Sequence, residues 1–130
     1  MESIIQQRGS CLCGGIQFVI EDMRREAIFF NAWCHCKPCT RARGVSPVHI
    51  IGVPVEAFRI IEGEELITVT TNPTVVSSAR KPEPHQSSMS HAFCKSCGCA
   101  VYQNPGGAPL RALFPATFHI EDGKSCFSQR

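Results

Sequence analysis

In Phe93-Cys94-Lys95-Ser96-Cys97-Gly98-Cys99, two cysteines stand two residues apart just ahead of a glycine. Both thiolates of such a knuckle can turn toward one ion, and Gly98 can take the positive φ that the tight return requires. Upstream the same chemistry recurs at Cys11-Leu12-Cys13-Gly14 and at Cys34-His35-Cys36-Lys37-Pro38-Cys39. Eight of the nine cysteines fall in these three groups, and only Cys126 stands alone. Random scatter would put roughly one cysteine there, so the clustering has a cause. A disulfide needs Cβ atoms about 3.5 to 4.5 Å apart with a fixed torsion, which neighbours at i and i+2 rarely reach. Thiolates converging on an ion face no such limit. Residues i and i+2 of a strand share a face, which predicts that Cys11 and Cys13 act as a pincer and that Cys34 and Cys36 repeat it.

Sulfur-rich ligation with no haem-attachment motif favours Zn²⁺ over an iron–sulfur cluster or a metal-free cysteine core. Eight clustered thiolates suffice for two closed sites, or for one closed structural site and one with an open fourth position. Spacing alone leaves that grouping open.

The rest of the composition narrows the class. With 43% hydrophobic and 18% charged residues in 130, the chain has the makings of one packed domain spanning residues 1–130, not a disordered, fibrous or coiled-coil protein. No apolar run approaches the about 18 residues of a membrane span. A formal charge of +2 lacks the excess expected of a nucleic-acid binder. Residues Met1 to Ser10 carry no apolar signal core, so the expected compartment is the reducing cytoplasm, where clustered cysteines serve metal binding or catalysis.

Between the cysteine groups the pattern is that of short strands. Ile16 to Ile20 alternates, Ala27 to Trp33 reads as a central strand delivering Cys34, and Pro38 suits a tight turn bringing Cys39 back. Pro47, Gly52 and Pro54 divide Val45 to Val55 into short strand pieces around Val48 to Ile51. Ala57 to Ile61 and Glu65 to Thr70 face each other across Glu62-Gly63-Glu64 as a hairpin. Thr71 to Ser90, rich in proline and serine, reads as a flexible loop. Ala100 to Tyr102, Arg111 to Phe114 and Thr117 to Ile120 supply the last strand candidates. Helical periodicity is weak, so the expected fold is mainly β.

Gly9-Ser10-Cys11-Leu12-Cys13-Gly14, then Cys34-His35-Cys36-Lys37-Pro38-Cys39 with Arg41 and Gly44, then Phe93-Cys94-Lys95-Ser96-Cys97-Gly98 give the chain a family likeness. It resembles the glutathione-dependent formaldehyde-activating enzymes, a family that includes the centromere protein V domain, from Gly9 to about Ile120. The resemblance implies a β-tent of stacked antiparallel sheets stapled by two zinc ions per chain. It implies a closed structural site at Cys11, Cys13, Cys94 and Cys97, and a three-ligand site at Cys34, Cys36 and Cys39 where substrate binds. The implied reaction joins the glutathione thiol to formaldehyde, which in reverse is a carbon–sulfur lyase reaction, and the implied partner is a small-molecule thiol. Thr40 stands where the family commonly carries a basic residue.

Around the second site, Lys37, Arg41 and Arg43 are candidates for pairing the carboxylates of a glutathione-like substrate. His35, between two ligands, alternates to the opposite face and reads as a surface or ligand-supporting imidazole, His49, His91 and His119 read as core or rim imidazoles as readily as acid–base groups, and His85 as part of the loop. Cys99 is suited to either a ligand or a core role. The other class of function compatible with the sequence is a non-catalytic zinc-stapled module that docks protein or chromatin. The discriminating feature is the fourth ligand of the second site.

Overall fold

The structure, a computed structural model, describes residues 3–72, 89–106 and 108–120. It is mainly β, as expected, with two antiparallel sheets and one short helix among the described residues. The smaller sheet has the order β1 (Gln7–Ser10), β2 (Gln17–Ile20), β5 (Phe58–Glu62). The larger has the order β3 (Phe30–Cys34), β4 (Val48–Pro54), β9 (Leu110–Leu113), β8 (Ala100–Pro105), β7 (Met89–Cys94), β6 (Ile67–Asn72). Neither sheet closes into a barrel.

The sheets meet over a core of Phe18 and Ile20 from the small sheet against Ile51, Val53, Ala92 and Leu113 from the large one, with Ile16 and Phe118 buried among them. Phe18 packs on Phe58 at 5.3 Å and on Phe118 at 6.3 Å between ring centroids, tilted or edge-on as aromatic quadrupoles favour. A second, smaller cluster of Cys39, Val48, Ile50 and Phe114, with Phe30 and Cys34 packed against it, lies on the other face of the large sheet. That face is covered by α1 (Lys37–Arg43). The pairing register supports the division, since Cys34 lies opposite Val48 on one face while Ala92 and Cys94 point into the core between the sheets.

Several local expectations give way to tertiary structure. The predicted hairpin across Glu62-Gly63-Glu64 does not form: β5 pairs with β2 and β6 with β7, so the chain crosses from one sheet to the other at this point. Gly63 sits at φ +82, and a Cβ there would collide with the Gly15 carbonyl, so this glycine marks a close backbone crossing rather than a hairpin tip. β3 is an edge strand, not a central one. β4 runs unbroken through Gly52, because the missing side chain is the slot that receives the Phe30 ring, and Pro54 simply ends the strand.

Pro38 opens α1 instead of making a tight turn, since its fixed φ and missing N–H suit the first turn of a helix. Gly44, left-handed at φ 68, ends α1 with its N–H donated to the Thr40 carbonyl. Thr117 to Ile120 is no strand: a 3-10 turn over Pro115–Thr117 precedes a single bridge between Phe118 and Gly9. The ends of the expected loop belong to β6 and β7, where Thr71 pairs with Ser90. The remainder of that loop, His85 and Cys126 lie outside the described residues.

Candidate metal centre

The first cysteine group is assembled from distant parts of the chain. Cys11 and Cys13 lie in the loop between β1 and β2, and not on a strand as expected. Gly14, at φ 79, donates its N–H to the Cys11 carbonyl at 3.1 Å, and this tight turn brings both sulfurs to one side. Cys94 ends β7, and the knuckle turns back at Gly98, whose N–H reaches the Cys94 carbonyl at 2.7 Å. The result places Cys13 Sγ 3.6 Å from Cys11 Sγ and 3.8 Å from Cys94 Sγ, although Cys13 and Cys94 are 81 positions apart. Sulfurs held at 2.3 Å around a tetrahedral ion stand about 3.8 Å apart, so the spacing fits a thiophilic metal.

Cys11, Cys13, Cys94 and Cys97 have all four sulfurs within 4.8 Å of one another, and no pair is disulfide-bonded. Backbone N–H groups converge on them: Ile16 donates to Cys11 Sγ at 3.3 Å. The N–H groups of Cys99 and Cys13 hold the Cys97 thiol down at about 6. Cys13 moves the other way, to about 11: the Gly15 N–H favours its thiolate, but the Cys11 thiol, desolvation and the thiols of Cys97 and Cys94 together outweigh it. Such a crowd accommodates little negative charge by itself, and a divalent cation is what lets all four ionise together.

The second group is local. Cys34 ends β3, Cys36 caps the N-terminus of α1 in an extended conformation, and Cys39 lies in the helix, so the expected strand pincer is a strand-to-helix corner. Their sulfurs also lie within 4.8 Å of one another, with Cys34 and Cys36 at 3.2 Å. Burial falls steeply across the group: Cys39 is buried, Cys34 half-buried and Cys36 exposed. Burial pushes the Cys39 thiol up to about 12, helped by Cys36, while the hydrogen bond from Gln103 acts in the opposite sense. Cys34 is lowered despite its burial, by the Cys36 N–H and the neighbouring thiols. Among the described residues no histidine, carboxylate or further cysteine joins this group. Either group could hold a metal ion.

A family model described as glutathione-dependent formaldehyde-activating enzyme matches residues 6–123. The chain belongs to that family. A crystal structure of a Rhodobacter sphaeroides protein, from a structural genomics programme, superposes with a TM-score of 0.60 at 19% identity, covering 92% of this chain and 91% of that one, which shows a shared fold. No curated protein sequence matches the chain.

The remaining candidates of this formaldehyde-activating family member divide by location. Lys37 and Arg41 line an open depression of about 310 Å³ on the outer side of α1, with Thr40, Gly44, Val45 and Ser46. Arg43 instead turns inward, bonding His91 Nδ1 at 3.0 Å with its guanidinium over the Phe114 ring, so it is not free for a substrate carboxylate. His49 bonds Asn31 at 2.6 Å and stacks on Trp33, His119 bonds the Ser10 hydroxyl at 3.0 Å, and His35 is exposed. Cys99 joins neither sulfur group and contacts the Ala100 carbonyl at 3.4 Å.

The residue that sequence reasoning passed over is Gln103, whose Nε2 donates to Cys39 Sγ at 3.3 Å. A glutamine in a strand reads as solvent-facing. No local pattern marks it: Val101, two residues earlier on β8, packs into the core between the sheets, and a register shift between β7 and β8 sets Gln103 on the opposite face.

Proposed function

We propose that this protein is a zinc-dependent enzyme of the carbon–sulfur lyase type, handling the adduct of a small electrophile such as formaldehyde with a glutathione-like thiol. The observation that carries the reading is the asymmetry of the two sulfur groups: among the described residues four thiols meet at one and three at the other, each group having one exposed cysteine, Cys13 or Cys36. Family membership supports a glutathione- and formaldehyde-related role. Cys11, Cys13, Cys94 and Cys97 would hold a structural zinc, and Cys34, Cys36 and Cys39 a second one.

A zinc at the second site would supply the positive charge that stabilises an incoming thiol as thiolate near neutral pH. Cys34, Cys36 and Cys39 would hold that ion, with Cys36 the exposed member of the three. In the synthetic direction the thiol sulfur forms a bond to the carbonyl carbon, the C=O π pair moves to oxygen, and the proton lost from sulfur ends on that oxygen. Lys37 and Arg41, beside the triad on α1, suit the carboxylates of a glutathione-like tripeptide. A reducing compartment such as the cytoplasm suits eight unpaired cysteines.

The test uses cobalt-substituted and zinc-loaded protein. Millimolar glutathione is expected to change the cobalt absorption, and glutathione with formaldehyde to exchange faster with its hydroxymethyl adduct by NMR than in a metal-free control. If glutathione leaves both the absorption and the exchange rate unchanged, the lyase reading fails and the non-catalytic module takes its place.

A further inference from the structure

Behind the Cys34–Cys36–Cys39 triad, on the sheet face that α1 covers, polar side chains are buried where an all-apolar layer would be expected. Gln103 is 1% exposed and His91 7% exposed, and the antiparallel register of β7 and β8 sets them directly opposite one another. Arg43 reaches down from α1 to His91 and lies over Phe114, so it braces the helix against the sheet. Gln103 Nε2 donates to Cys39 Sγ at 3.3 Å and lies 4.0 Å from Met89 Sδ. Its Oε1, equally buried, has no hydrogen-bond partner among the described residues.

An amide left half-satisfied in a core is destabilising, and a leucine or methionine of similar volume would avoid that cost. Among the described residues the contact with Cys39, with the longer one to Met89, is what offsets it. The direction of that contact is decided by the sulfur. A metal-bound thiolate has lone pairs and no proton, so it is met favourably by N–H and unfavourably by the carbonyl oxygen.

We infer that Gln103 is a positioning residue of the second metal site: its side-chain amide donates to Cys39 Sγ and fixes that ligand for the ion, while Arg43, His91 and Phe114 hold α1 at the height this contact needs. The inference rests on the reading of Cys34, Cys36 and Cys39 as metal ligands. Ligand-supporting hydrogen bonds of this kind typically contribute about 10–100-fold in metal affinity.

Gln103→Leu and Gln103→Met remove the donor and keep the volume. In full-length protein, competition with a chromophoric chelator should show the tighter site unchanged and the second site weakened about 10–100-fold. The sulfur-to-cobalt charge-transfer absorption of the second site should move to longer wavelength, since an unbonded thiolate donates its electrons more readily. A packing role alone would not move that absorption. Unchanged affinity and absorption in a two-metal variant would overturn the positioning role. Wild-type protein that takes up one metal only would instead overturn the reading beneath it. Should both variants fail to fold, the wild type decides: in ¹⁵N-labelled protein loaded with ¹¹³Cd, the Gln103 side-chain amide proton should shift on loading and couple to the metal. An amide that ignores loading refutes the contact.

Discussion

The two sulfur groups use the same chemistry for opposite structural ends. Cys11 and Cys13 reach the first group from the loop of the small sheet, and Cys94 and Cys97 from the end of β7 and its turn, so that group ties one sheet to the other across most of the chain. Cys34, Cys36 and Cys39 close a strand-to-helix corner with sulfurs drawn from one short stretch. Loop closure costs grow with the length of chain closed, so a cross-link between distant segments constrains the unfolded ensemble far more than one between near neighbours. The comparison teaches that ligand count and ligand spacing carry separate information: spacing says what a site holds together, and count says whether it has a position left over.

The sharpest break of this comparison is a cysteine removed from each group in turn. Structural zinc contributes on the order of 10 kcal/mol to small domains, comparable with the whole stability of a domain. Cys94→Ala should therefore give insoluble or unfolded chain, while Cys36→Ser should give folded protein that has lost one metal and its activity. Circular dichroism and elemental analysis read both outcomes. Equal unfolding by the two substitutions would erase the distinction.

Gly63→Ala is the next largest, and it acts on the first group without touching a sulfur. The left-handed backbone at Gly63 costs a side-chain-bearing residue roughly 1–3 kcal/mol. The added Cβ also meets the carbonyl of Gly15, within the loop that carries Cys11 and Cys13. Lower thermal stability, with metal lost first from the four-sulfur site, is the expected result. Preferential loss from the triad instead would mean that the sheet crossing does not support that loop.

Chelator challenge of the unmutated protein sharpens the contrast at a smaller scale. The triad, with three sulfurs against four among the described residues, should release its metal well before the four-sulfur group. A biphasic release with two equal amplitudes is expected, and a single phase carrying both metals counts against it.

The smallest effect is expected far from both groups, at Asp22. Arg24 bonds its carboxylate at 2.7 Å and, with the Arg24 and Ile5 N–H groups, lowers its pKa from 3.8 to about 2. A carboxyl depressed on folding stabilises the protein above its ordinary value, and that contribution fades as pH falls between about 4 and 2. Asp22→Asn should flatten this part of the acid-stability profile and leave metal content unchanged. A changed metal content would show that the margin of the small sheet is coupled to a sulfur group.

The sulfur groups and the mainly β class were legible because cysteine spacing and strand alternation are local properties. The partner of each strand is not local. Glu62-Gly63-Glu64 has the composition of a hairpin turn, yet β5 and β6 separate because Gly63 presses on the backbone at Gly15, a contact between residues far apart in sequence. Pro38 was ambiguous for another reason: the same fixed φ serves a tight turn and the first turn of a helix, and only the burial of Cys39 against β4 and β8 selects the helix. Gln103 was invisible because its polar character argues for solvent, and what reverses that reading is a sulfur delivered from α1.

The sheet-spanning reach of the first group also orders events at the ribosome. A growing chain exposes Cys34, Cys36 and Cys39 together soon after β3 has emerged, although Gln103, His91 and Phe114, which later hold Cys39 and α1 in place, are made only afterwards. Cys11 and Cys13, though synthesised earlier, wait for Cys94 and Cys97. During that interval a nascent chain carries two sulfurs that bind a metal only weakly and three that bind it better. Synthesis from the N-terminus therefore favours filling the triad before the staple, the reverse of the order in which the finished protein depends on them.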